Sequence, residues 1–237
     1  MCPMVHEKDP RLEIEEIRYL GETGDIIAYF AKPKVSGKLP GLVIVCEIWG
    51  LVPHIKDVAR RAALEGFMAL APDPLSPLGG TPDNADEARS MMQKLDSEKN
   101  IKNFIAAVKY LKTHPQSTGR VGVTGFCWGG GVTNQLAVNS PDVQAAAPFY
   151  GMQPKPEDVP KIKASLLIHY AEDDERINAG IAVFEEALKK AGVDYQIHIY
   201  KGTKHAFFND TGPRYNEEAA KLAWDRTVAF FKEKLKA

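Results

Sequence analysis

The sequence predicts an α/β fold: an open, twisted, mostly parallel sheet of about eight strands with helices on both faces. Three observations carry this. Short segments rich in aliphatic and β-branched residues recur along the chain, and several of them (LVIVC, FMALA, SLLIHY) are apolar throughout, as strands covered on both faces are. Amphipathic helical patterns stand between them, and alternation of the two types favours a parallel sheet. No repeat, low-complexity tract or linker interrupts the 237 residues, so the chain is expected to form one domain, 1–237.

Strands are expected at Ile14–Leu20, Asp25–Pro33, Leu42–Glu47, Phe67–Ala71, Arg120–Thr124, Ala145–Phe149, Ser165–Tyr170 and Tyr195–Tyr200. Ile55, Val58, Ala59 and Ala62 fall at i, i+3, i+4 and i+7, as do Ile101, Phe104, Ile105 and Val108, and each set marks a helix with one apolar face. Ile177, Ile181, Phe184, Leu188 and Ala191 form a further stripe, which Gly192 closes as a residue just past the helix end. Tyr215–Leu235 is expected as a final helix. Pro72–Pro82, rich in proline and glycine, is expected as a long surface loop.

Composition narrows the function classes. A formal net charge of −1 points to neither nucleic acid nor an anionic membrane as partner. Three cysteines, Cys2, Cys46 and Cys127, without a C-x-x-C spacing argue against a disulfide framework or a structural zinc site. No run of eighteen apolar residues and no signal-peptide pattern is present, so a cytoplasmic protein without metal or cofactor is the expectation.

The stretch VTGFCWGGG, Val123–Gly131, concentrates the chemistry. Gly125-x-Cys127-x-Gly129 has the form of a nucleophile elbow, a sharp strand-to-helix turn that exposes its central side chain, here with sulfur in place of a serine oxygen. A side chain at 125 or 129 is expected to collide with the neighbouring strand or helix. A helix starting near Trp128 would favour the thiolate by its positive end and offer the Trp128 N–H to an oxyanion. The competing reading is a glycine-rich junction with an inert cysteine.

In this architecture the order along the chain is nucleophile, acid, histidine. Of six histidines, His205 alone follows the last strand in a glycine-containing loop before the final helix. His169 and His198 lie inside apolar strands and are expected to be core residues. The acid is expected after the Ser165–Tyr170 strand, where Glu172, Asp173, Asp174 and Glu175 stand together and chemistry alone does not choose among them. Glu47 closes an apolar strand, where a carboxylate is costly unless paired. It either turns to solvent or contacts the Cys127 sulfur from a neighbouring strand.

These residues resemble the dienelactone hydrolase family of the α/β-hydrolase fold along nearly the whole chain. The resemblance rests on GLVPHIKDVARRAALEGFMALAPD (Gly50–Asp73) after the strand-end glutamate, GFCWGG (Gly125–Gly130), DERI (Asp174–Ile177) and HAFFND (His205–Asp210). It implies a Cys127 nucleophile, a His205 base, an Asp174 acid, a Glu47 that hydrogen-bonds the resting thiol, and oxyanion donors at the Ile48 and Trp128 N–H groups. The implied substrate is a small ester or lactone. One of the family's arginines that hold a dienelactone carboxylate follows the catalytic histidine closely, whereas here Ala206–Asn209 follows His205 and the nearest downstream arginine is Arg214; Arg89 alone lies in the lid expected between Pro72 and Lys99. Trp49, Trp128, Phe207 and Phe208 therefore suggest a pocket for a more apolar acyl or lactone group. A broad carboxylesterase or thioesterase, or a non-catalytic redox-sensing relative, are the alternatives.

Overall fold

The computed structural model describes residues 4–236; Cys2 lies outside them. Its eight strands lie in the order β1-β2-β4-β3-β5-β6-β7-β8. The chain divides into two compact units, one through Val121 and one from Gly122 to Lys236, with the division inside β5 (Ser117–Phe126).

The first unit begins with the hairpin β1 (Leu12–Gly21) and β2 (Gly24–Pro33), paired antiparallel. β2 then pairs antiparallel with β4 (Met68–Pro72), and β4 pairs parallel with β3 (Leu39–Val45). β3 and β4 are buried along nearly their whole length, as their apolar sequences require. Helix α1 (Pro53–Leu64) starts with proline at its first position, where the missing N–H costs nothing. Helices α2 (Ala85–Met92) and α3 (Ser97–Thr113) are capped by Asn84 and Asp96, whose side chains accept from the N–H groups of Glu87 and Lys99. α3 buries Phe104, Ala107, Val108 and Leu111, with Ile101 and Ile105 at the margin of that face. Asn103 is buried because it pins the β1–β2 turn: its Oδ1 accepts from the Thr23 N–H at 3.1 Å and its Nδ2 donates to Thr23 Oγ1 at 2.9 Å.

The second unit continues through α4 (Trp128–Asn139), β6 (Val143–Phe149), β7 (Ser165–Asp173), α5 (Glu175–Asn178), α6 (Ile181–Ala191), β8 (Tyr195–Lys204) and α7 (Glu217–Lys234). β6, β7 and β8 run parallel. Gly122 leaves room for a side chain of α7: a Cβ there would meet the Phe231 ring at 2.6 Å. Among the described residues no helix is long and apolar enough to cross a membrane.

All eight expected strands are present, with ends that differ by a few residues. β3 stops at Val45, so Cys46 and Glu47 lie beyond it. The stripe from Ile177 to Ala191 is two helices, because the chain turns at Ala179–Gly180 before α6 begins. Gly192 is the left-handed residue that closes α6, with φ 66°. Part of the Pro72–Lys99 connection is helical: a short 3-10 turn at Ser76–Leu78 precedes α2. His198 is half-buried rather than core, because β8 is the last strand of the sheet. His169 is core and fully satisfied. Its Nδ1 pairs with Tyr200 Oη at 2.8 Å and its Nε2 with Thr227 Oγ1 at 3.0 Å. Thr227 donates its hydroxyl proton to the Ala223 carbonyl, so His169 is the donor at Nε2 and the acceptor at Nδ1.

Candidate active site

Three loops of the second unit, each at the C-terminal end of a strand, carry the candidate residues. Cys127 stands between β5 and α4 with φ 56° and ψ −115°, a left-handed conformation that non-glycine residues rarely take. Such a residue costs about 1–3 kcal/mol and persists only where its surroundings hold it. Here the Cys127 N–H donates to the Phe149 carbonyl at 3.1 Å, and the Cys127 carbonyl accepts from Gly130 and Gly131 at 3.0 and 3.2 Å. The glycines leave the space this requires. A Cβ on Gly125 would lie 2.4 Å from the Gly129 carbonyl oxygen, and one on Gly130 would lie 2.4 Å from that of Phe149. Cys127 is partly exposed, whereas Cys46, the other described cysteine, is buried.

Burial separates the four carboxylates of the acid loop. Glu172, Asp173 and Glu175 are exposed, and Asp174 is 9 % exposed. Glu172 accepts from the Gly202 N–H, and Asp173 faces Lys204 at 3.8 Å. Asp174 Oδ2 lies 2.5 Å from His205 Nδ1. Cys127 stands close enough to His205 to raise its titration. The structure thus sets His205 against Asp174, with Cys127 beside the ring.

Charge and solvent act on His205 in opposite senses. Burial disfavours the imidazolium, but the hydrogen bond to Asp174 and the interaction with Cys127 outweigh it, raising His205 to about 9. The ring lies against Tyr150, with centroids 4.9 Å apart. Tyr150 (φ 37°) and Ala206 (φ 69°), beside His205, are the other described non-glycine residues with positive φ. Strained backbone is therefore concentrated at this site.

Phe207 and Phe208, expected to line a pocket, are core residues, 0 % and 2 % exposed. Phe208 stacks on Phe126 at 4.9 Å, and Phe207 packs on Tyr200 at 5.0 Å, so both support the histidine loop from beneath. Trp128 is half-buried at the first position of α4.

The remaining sequence candidates belong to the first unit. Glu47 is buried, 2 % exposed, which excludes the solvent-facing alternative. Ile48 and Trp49 are half-buried in the turn that follows. Gly50 closes that turn at φ 77° against Thr81, whose Oγ1 accepts from the Leu51 N–H at 2.9 Å and donates to Asp73 Oδ1 at 2.7 Å. Arg89 is exposed on α2. Sequence reading missed Tyr150: only its backbone conformation and its place against His205 single it out. Among the described residues, no group of three or more His, Cys, Asp or Glu side chains is arranged to hold a metal ion.

Residues 26–235 match the dienelactone hydrolase family. The chain belongs to that family. It is, accordingly, a hydrolase acting on esters, with the α/β-hydrolase fold. A relative from Saccharolobus solfataricus, described as "Putative carboxymethylenebutenolidase", is 34% identical over 92% of this chain and 98% of its own length. "Protein usf" of Aquifex pyrophilus is 38% identical over 87% of this chain and 93% of its own. Among solved structures, a dienelactone hydrolase-like promiscuous phosphotriesterase from metagenomic libraries superposes with a TM-score of 0.85 at 25% identity, covering 95% of this chain and 100% of its own.

Proposed function

We propose that this member of the dienelactone hydrolase family cleaves a small ester or lactone through a covalent thioester on Cys127, with His205 as proton carrier and Asp174 as its orienting acid. The observation that carries this reading is the pairing of His205 with both Asp174 and Cys127 at a strained elbow. With His205 holding its proton at neutral pH, an imidazolium stands beside the Cys127 sulfur, whose thiolate is the nucleophilic form.

The thiolate attacks the substrate carbonyl carbon, and the carbonyl π pair moves onto oxygen. The Trp128 N–H, first of helix α4, receives that oxyanion. Collapse breaks the acyl–oxygen bond, and the departing alkoxide takes the proton of the His205 imidazolium. Water then attacks the thioester carbonyl while neutral His205 accepts its proton, and Cys127 leaves as thiolate with the acid released. Asp174 keeps the imidazole in the tautomer that presents Nε2 to sulfur. A thiolate is also a good leaving group, which suits activated or cyclic esters better than amides.

Turnover of p-nitrophenyl acetate and a panel of lactones tests the reading. Wild type should hydrolyse at least one of them, and Cys127→Ala and His205→Ala should abolish the activity. Full activity in Cys127→Ala would overturn the reading.

A further inference from the structure

We infer that Gln153 is a positioning residue for Asp174, the anchor of a four-residue segment, Tyr150–Gln153, that holds the three loops of the site in register. This rests on the catalytic reading above for its consequence, but not for its geometry.

The segment follows β6 and touches each loop in turn. Tyr150 donates its N–H to the His169 carbonyl at 2.7 Å and sets its ring against His205. Gly151 packs on the elbow helix so closely that a Cβ there would lie 2.1 Å from the Gly130 carbonyl carbon and 2.4 Å from the Gly131 nitrogen. The Met152 carbonyl accepts from Nδ2 of Asn134, a residue of α4 that is 1 % exposed. Gln153 Nε2 then donates to the Ile177 carbonyl and to Tyr170 Oη, both at 3.0 Å. A carbonyl can only accept, which fixes nitrogen as the contacting atom of the Gln153 amide. Its oxygen lies against Gly180, where a Cβ would approach it to 2.4 Å.

Asp174 needs such an anchor. It precedes α5, a helix of four residues, and a single turn is not stable by its own hydrogen bonds. The turn is tied back at both ends. The Asp174 carbonyl accepts from Ile177 and Asn178 at 3.1 and 2.8 Å, and Asn178 Nδ2 donates to Ala171 and Glu172 of β7. Those bonds close the loop on its own strand. Gln153 ties it to a different loop, the one that also braces Cys127 and His205. Releasing Gln153 frees the acid turn to shift relative to His205, while the elbow and the histidine loop keep their own contacts.

The test is Gln153→Met, which keeps the side-chain length and removes both donated hydrogen bonds, with Gln153→Ala as a second variant. The readout that needs no activity is the titration of the His205 imidazole by NMR. It should fall from about 9 toward the ordinary histidine value as Asp174 loosens. A misplaced acid should also lower kcat by roughly tenfold and leave KM within about twofold, since geometry at the reacting groups governs the chemical step. An unchanged His205 titration overturns the proposal whatever the kinetics, and so does loss of fold in both variants, which would assign Gln153 to stability alone. If wild type turns over none of the esters offered, the catalytic reading fails while the titration still decides the positioning role.

Discussion

His205 Nδ1 and Asp174 Oδ2 are 2.5 Å apart, shorter than the roughly 2.7–2.9 Å usual for a charge-assisted N–H···O hydrogen bond. The acid is buried and its three neighbouring carboxylates are not. The pair therefore operates where water screens it least, and it opposes the cost of burying the imidazolium.

Replacing Asp174 by Asn should therefore release the histidine. The variant keeps the shape and loses the negative charge, so the imidazole titration should move down from about 9 toward 6.5. Turnover of any ester the wild type accepts should drop by roughly 10³–10⁴-fold if the asparagine also stabilises the wrong tautomer. NMR titration and initial rates on the same preparation check both.

The elbow makes a steric prediction. Gly125→Ala would place a methyl group 2.4 Å from the Gly129 carbonyl oxygen and 2.7 Å from Thr133 Oγ1. Backbone on one side and a buried hydroxyl on the other leave no cheap escape. Gly192 gives the contrast: it has φ 66° but open space around it. Gly192→Ala should cost only the left-handed penalty of about 1–2 kcal/mol. Gly125→Ala should cost more, at roughly 3 kcal/mol or above, and displace Cys127. Urea denaturation of the two variants should rank them in that order.

In the first unit, Thr81 joins the loop after β3 to the loop after β4. The Leu51 N–H donates to its hydroxyl, which donates to Asp73; Asp73 accepts in addition from the N–H groups of Leu75 and Thr81. Thr81→Val preserves the shape that Gly50 packs against but leaves the Leu51 donor and one lone pair of Asp73 unsatisfied. The expected loss is about 1–3 kcal/mol. Thr81→Ser should recover most of it, because it keeps the hydroxyl. Chemical denaturation of both variants checks this, and equal losses in the two would sink the hydrogen-bond account.

What sequence could and could not reach follows from the range of the interactions. The strands were legible because an apolar run buried on both faces reports its own environment, and the order Cys127, Asp174, His205 because the elbow fixes which strand ends follow. Asp174 could not be told from Asp173 by chemistry, since burial, a tertiary property, makes the distinction. Phe207 and Phe208 look like pocket walls in a loop sequence, yet the loop folds over Phe126, Phe149 and Tyr200 and turns them inward. Tyr150 and Gln153 carry no local signal at all. Their role lies in contacts with residues 17 to 55 positions away.

The buried His169 predicts how stability varies with acid. Burial, with His198 and Arg226 nearby, holds it well below 6.5 in the folded chain, and its neutral form is locked between Tyr200 and Thr227. The unfolded chain takes up this proton near 6.5 and the folded chain does not, so stability falls as pH drops below 6.5, by up to about 1.4 kcal/mol per pH unit. His205 has the opposite sign. Its raised folded value gives a contribution fully present below 6.5 and lost as pH rises toward about 9. Unfolding midpoints measured across pH should show His169→Gln flattening the acid limb alone and His205→Gln the alkaline limb alone. A wild-type acid limb retained in His169→Gln would mean that other groups carry it.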